Sequence, residues 1–322
     1  MYAGPWLCAA VWCLVATAAA AQDYTRDGPC AVQKVAAGPQ IMPGSTGCKL
    51  KACLLKVTVT LPQTGQAAGS ACASGPFPVV FFYSAFQTPS ASYKAYANRL
   101  ASYGYAVVQY DTALGTIITD NVELQFMQLV LDNLKAQATA SSSSSPLAGR
   151  LDFSVLAVAG HSRGGKLAAL QLATSPAVKA GYLIDPVDNT IFSPESALYP
   201  SAVKALAAAT PRRVAGVSGA KIPSLCNPPD ANYEKFYAAL GSGSWLQVLP
   251  QATHLSFEQT PLAATPICGK GSTTPLVGVP VTVATVTAWM EQAVRGRPLP
   301  AESTAWVNQK AQEGVLTFTV KQ

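Results

Sequence analysis

Few residues in this chain can carry out covalent chemistry, and the most specific set is Gly160-His161-Ser162-Arg163-Gly164, a G-x-S-x-G pattern. A serine hydroxyl is a poor nucleophile until an imidazole takes its proton and an acid orients that imidazole. The chain has two histidines. His161 adjoins Ser162, with its ring aimed away from the hydroxyl of its own neighbour. That leaves His254 as the base. The acid is sought among Asp185, Asp188 and Asp230, in that order of preference, each of which could instead form a turn or cap a helix. An oxyanion needs two backbone N–H donors. Arg163, directly after the nucleophile, offers one. The loop Ser84–Ser90 offers the other, at Phe86 first and Gln87 next.

The elements needed to position these residues are legible. Phe153–Ala159 is short and almost wholly apolar, as in a strand buried on both faces of a parallel sheet. Lys166–Ala173 is rich in helix formers. Strand, sharp turn and helix form the setting in which G-x-S-x-G exposes its serine. Further buried strands are expected at Phe77–Tyr83, Tyr105–Tyr110, Gly181–Ile184, Arg213–Gly219 and Trp245–Leu249. Helices are expected at Ser92–Tyr103, Ile118–Ala138, Ala231–Gly241 and Pro280–Arg295. This alternation predicts an α/β fold, a mainly parallel sheet with helices on both faces. Asp185 would end a strand at the carboxyl edge of the sheet, where active-site loops gather, and His254 would follow the last core strand.

Around the core, 77–298, three segments are set apart. Residues 1–21 read as a targeting segment, with apolar Trp6–Ala16, small residues at 16–21 and no Lys or Arg before Arg26. That points to the secretory pathway. Residues 22–76 hold four cysteines and a period-2 strand at Leu54–Leu61, expected at a half-exposed antiparallel edge. Residues 299–322 form a tail with a strand at Val315–Val320. Cleavage near Ala21 would leave six cysteines, enough for three disulfides. Spacing favours Cys226 with Cys268 and Cys30, Cys48, Cys53 and Cys72 among themselves.

Charged residues are 12% of the chain and hydrophobic ones 49%. The formal net charge of +6 is spread without a basic run, which excludes a nucleic-acid footprint. Scattered cysteines and two histidines give no metal cluster, and no cofactor is expected. The sparse charge suits a small, apolar ester substrate, reached by brief contact with a membrane surface.

Gly-His-Ser-Arg-Gly-Gly-Lys (160–166), Leu183-Ile184-Asp185-Pro186-Val187-Asp188 and Ala252-Thr253-His254-Leu255 together resemble the plant and algal chlorophyllases. The resemblance covers roughly residues 77–296 and departs at Ser84-Ala85, where that family carries His-Gly. It implies an α/β-hydrolase fold with Ser162 as nucleophile, Asp185 as acid and His254 as base. It also implies a substrate, the phytyl ester of chlorophyll, whose magnesium belongs to the substrate, and a chloroplast as the alternative compartment. Asn98–Tyr105 is similar to bacterial cutinase-like polyester hydrolases as well. The competing expectations are therefore a secreted carboxylesterase acting on other lipids or polyesters, and a non-catalytic pigment- or lipid-binding module.

Overall fold

Phe77–Tyr83 (β3) alternates its side chains between two apolar cores and is buried along nearly all its length. Such a strand can only sit inside a sheet covered on both faces. The computed structural model describes residues 23–48, 53–63, 65, 72, 75–113, 115–139, 145–261 and 266–322. The segment read as a targeting signal lies outside them, as does most of the loop at 63–75.

The strands are Val32–Ile41 (β1), Leu54–Pro62 (β2), β3, Ala106–Asp111 (β4), Leu151–His161 (β5), Val178–Ile184 (β6), Gly216–Ala220 (β7), Trp245–Leu249 (β8) and Thr317–Val320 (β9). They form one sheet in the order β1-β2-β4-β3-β5-β6-β7-β8-β9. From β4 to β8 every pairing is parallel, while β1, β2 and β9 pair antiparallel at the two sides. One face is covered by Lys94–Ser102 (α1) and Pro275–Arg295 (α6), whose Tyr96, Leu100, Val283 and Trp289 meet Val80, Phe82 and Tyr182. The other is covered by Asp120–Thr139 (α2), Arg163–Thr174 (α3), Ala202–Ala208 (α4) and Tyr233–Ala239 (α5), which pack on Val79, Phe81, Val158 and Val217. This is the expected mainly parallel sheet with helices on both faces.

One expectation at the amino-terminal side needs correction. Leu54–Pro62 is not an edge strand, because β1 pairs along it from Val32↔Pro62 to Ile41↔Leu54. Gly38-Pro39 punctuates β1 and reads as a turn in sequence. In the fold it sits at a register shift between Ala36 and Pro39, which the strand absorbs as an irregularity. The strand expected in the C-terminal segment is present as β9. Ala301–Gln312 (α7) leads into β9, and Phe318 packs against Trp245, which in turn meets Trp289. The cysteines pair as Cys30–Cys72, Cys48–Cys53 and Cys226–Cys268. Among the described residues no helix is long and apolar enough to cross a membrane.

Candidate active site

The turn from β5 to α3 is set by close approach. A Cβ on Gly160 would lie 2.4 Å from the Gly164 carbonyl oxygen, and one on Gly164 would lie 2.4 Å from the carbonyl oxygens of both Tyr83 and Ser84. Only glycine fits at either place. Between them Ser162 adopts φ 58° and ψ −126°, a sparsely populated conformation costing about 1–3 kcal/mol. The surroundings hold it: the Ser162 N–H donates to Ile184 O at 3.0 Å, and its carbonyl accepts from Lys166 and Val187.

Three side chains from three strand ends converge there. The Ser162 hydroxyl lies 2.7 Å from His254 Nε2, and His254 Nδ1 lies 2.6 Å from Asp185 Oδ2. All three residues are buried. With Nδ1–H donating to the carboxylate, the imidazole keeps its Nε2 lone pair toward the hydroxyl, the tautomer a general base requires. Asp185 itself sits at φ 37°. Its Oδ1 accepts the Ala220 N–H at 2.9 Å, and its Oδ2 also accepts from Asn227 Nδ2 at 3.4 Å. The carboxylate is thus solvated by the protein where water is excluded.

The other two aspartates lie elsewhere. Asp188 accepts from Ser201 Oγ and from the N–H groups of Ala202 and Val203, at 2.6, 2.9 and 3.2 Å. It anchors the start of α4. Asp230 is exposed. Of the three candidates the fold brings Asp185 alone to His254.

Arg163 opens α3, and the first N–H groups of a helix have no partner within it. Phe86 lies in the loop after β3, with its side chain half exposed. That loop is braced by Gln87, at φ 57°. Its amide donates to Thr116 O and accepts from the Gly115 N–H, both at 2.7 Å. Ser90 closes the loop on the Asp111 carboxylate. A cavity of about 570 Å³ opens beside it, lined by residues that include Leu54, Phe86, Tyr110, Ile118 and Arg163. Ligand pockets commonly have this volume, and this one mixes apolar side chains with Lys56, Asp111, Glu123 and Arg163.

Several participants carry no sequence signal. The Arg163 side chain reaches away from the serine to Asp120 and Glu123 on α2, and donates to Ile118 O at 2.8 Å. Burial opposes its charge, but Glu123 and Asp120 more than offset this and raise its pKa. Lys166 is almost fully buried and pairs with Asp120 at 2.9 Å, with Asp188 3.7 Å away. The basic residues of the motif therefore fasten the elbow's helix to α2. Asn227 and Ala220 serve Asp185 from a loop and a strand end, and their types alone could not have indicated this. His161 bonds Tyr93 and the His254 carbonyl, and its ring lies tilted at 34° to the His254 ring with centroids 4.7 Å apart.

Among the described residues, His161, Asp185 and His254 are spaced closely enough to share a metal ion. Both nitrogens of His254 are nevertheless engaged, by Asp185 and Ser162, so the donors are wired for proton transfer.

The chlorophyllase family profile matches residues 57–265, which is more than half of the chain. No curated protein sequence matches it. Among solved structures, the ferulic acid esterase from Streptomyces cinnamoneus superposes with a TM-score of 0.58 at 18% identity, over 90% of this chain and 96% of that one. That is a likeness of fold. The fold and the family match together make this chain a member of the chlorophyllase family, an α/β-hydrolase that acts on carboxylic esters.

Proposed function

We propose that the protein hydrolyses the phytyl ester of chlorophyll to chlorophyllide and phytol through an acyl-enzyme on Ser162. The Ser162 oxygen attacks the ester carbonyl carbon as His254 Nε2 takes the hydroxyl proton. The oxyanion is held by the N–H groups of Arg163 and Phe86. Collapse expels the alcohol, which receives its proton from His254. A water molecule then attacks the acyl group while His254 takes its proton, and the acid leaves as Ser162 regains its hydrogen. Asp185 keeps the imidazole in the productive tautomer and stabilises its cationic form. No cofactor enters these steps.

The observation that carries this reading is the hydrogen-bonded line from Asp185 through His254 to Ser162, set on a glycine elbow. Family membership supports the ester and its pigment. An apolar substrate is also supported by the rim. Phe86, Ile117, Ile191, Phe192, Leu225 and Ile267 are all about half exposed or more, on loops that follow the carboxyl ends of the parallel strands. Exposed apolar side chains on segments at that end of the sheet suit brief contact with a lipid surface.

A second reading, a secreted esterase acting on other lipid or polyester substrates, is favoured by the three disulfides, which persist in oxidising compartments. Residues 1–21 would then be an export signal. The two readings separate on substrates. Purified protein should release phytol from chlorophyll at a rate comparable to or above its rate on short p-nitrophenyl esters. Cleavage of the short esters alone would overturn the chlorophyll assignment and leave the secreted esterase. Failure of a fluorophosphonate to label the protein would point to a binding module instead.

A further inference from the structure

His161 is an expensive residue to bury. It is fully enclosed, between Tyr93, Phe257 and the ring of His254. An apolar side chain would fill this space without the cost of desolvating two ring nitrogens. Both nitrogens are bonded, and their partners are the informative part. Nε2 lies 3.1 Å from the backbone carbonyl oxygen of His254. A carbonyl can only accept, so Nε2 carries the hydrogen and donates it. Nδ1 is then left with a lone pair, which accepts from the Tyr93 hydroxyl at 2.8 Å. The Tyr93 oxygen in turn accepts the N–H of Ala85 at 3.3 Å. Ala85 immediately precedes Phe86.

A continuous line of hydrogen bonds therefore runs from the backbone of His254 through His161 and Tyr93 to the loop that carries Phe86. His254 and that loop lie on opposite sides of Ser162 in the chain, and further bonds, of Ser92 and Ala95 with Gln259 and Thr260, join the segments that follow each of them. The His254 end is stiff in other directions. Residues His254–Phe257 form one tight turn in which Thr253 and Ser256 cap each other, and the Phe257 carbonyl accepts from Tyr96.

We propose that His161 is a positioning residue for the ester hydrolysis, holding the backbone of His254 and, through Tyr93, the N–H of Ala85 in one mutual geometry. This rests on the reading of Ser162, His254 and Asp185 as a triad. The charged and titratable groups facing His161 are His254, Asp185 and Glu258, whose Oε1 is 3.4 Å from Nδ1. Burial lowers the basicity of His161 despite the Glu258 carboxylate. A neutral ring suits the role. It preserves the tautomer the two bonds need, and it sets no positive charge 4.7 Å from the ring that must itself become an imidazolium.

The test compares His161→Phe, His161→Gln and Tyr93→Phe with the wild-type protein on one ester substrate, with melting followed alongside. Phenylalanine keeps the stacking and removes both hydrogen bonds. Glutamine keeps an amide that can donate toward the His254 carbonyl. His161→Phe should lower kcat between about tenfold and a hundredfold, as small misplacements of reacting groups do, with KM changed less than about twofold. His161→Gln should recover much of that loss, and Tyr93→Phe should fall between. The inference is overturned if folded His161→Phe retains kcat to within about twofold, or if glutamine restores nothing. It is equally overturned if kcat falls only in proportion to the fraction unfolded. Ser162→Ala in the same assay keeps the outcomes apart. Activity in that variant removes the triad reading itself, whereas an inactive Ser162→Ala beside an unimpaired His161→Phe removes only the role of His161.

Discussion

Asp185, Asp188 and Asp230 are the same residue type within one stretch of chain, and what separates them is where their oxygens point. Asp185 receives the His254 ring and the Ala220 N–H, whereas Asp188 spends both oxygens on the start of α4. Their substitutions should therefore act on different quantities. Asp185→Asn should lower kcat by about 10³–10⁴-fold, because the imidazole loses the partner that fixes its tautomer. Asp188→Ala should leave kcat close to wild type and cost about 0.5–2 kcal/mol of stability, the usual range when a side chain that accepts from the first turn of a helix is removed. Chemical denaturation together with steady-state kinetics of both variants checks this, and the reverse pattern would reassign the acid. Sequence order could rank the three aspartates but not separate them, since an acid becomes a partner only through the strand end that aims it. His161 shows the same limit. Adjacency to Ser162 excludes it as the base, but only the packed β5 and α6-side core reveal its bond to the carbonyl of His254.

At the scale of elements, the elbow depends on α3 staying where it is, and that is the work of the basic residues that follow the serine. Lys166 lies almost wholly out of water against Asp120, and Arg163 lies against Asp120 and Glu123. Without Lys166 the buried Asp120 would keep Arg163 as its one remaining cationic partner. Lys166→Met should accordingly destabilise the protein by about 1.5–3 kcal/mol, the usual worth of a bond to a charged group, read as a lowered midpoint in urea unfolding, although the Lys166 side chain pairs with Asp120 and Asp188 and only its backbone N–H reaches Ser162. The central strands and the elbow helix were legible because a strand buried on both faces has to be a short, mostly apolar run, and β3 and β4 are such runs. The peripheral elements were less so. Gly38-Pro39 hides β1 by reading as a turn, and α7 is amphipathic too weakly to announce itself, with Ser303 its one buried residue. Pairing with β2 decides β1, and α7 packs against β9, whose Phe318 meets Trp245.

The whole molecule gathers its chemistry at one edge of the sheet. The ends of β5, β6 and β8 bring Ser162, Asp185 and His254 together, and the loop after β3 faces them. The Cys226–Cys268 disulfide ties the loop holding Asn227 to the segment beyond His254, so two sides of the site are covalently joined. Exposed apolar residues follow the same edge, a distribution that fits a protein meeting an apolar ester there. The central claim is that Ser162 is the nucleophile of this edge, and the rate of ester hydrolysis by Ser162→Ala tests it most directly. The variant should melt as the wild-type protein does and lose about 10⁴-fold or more in kcat, as triads do when the nucleophile is removed. A folded Ser162→Ala protein that hydrolyses the ester at the wild-type rate would contradict it.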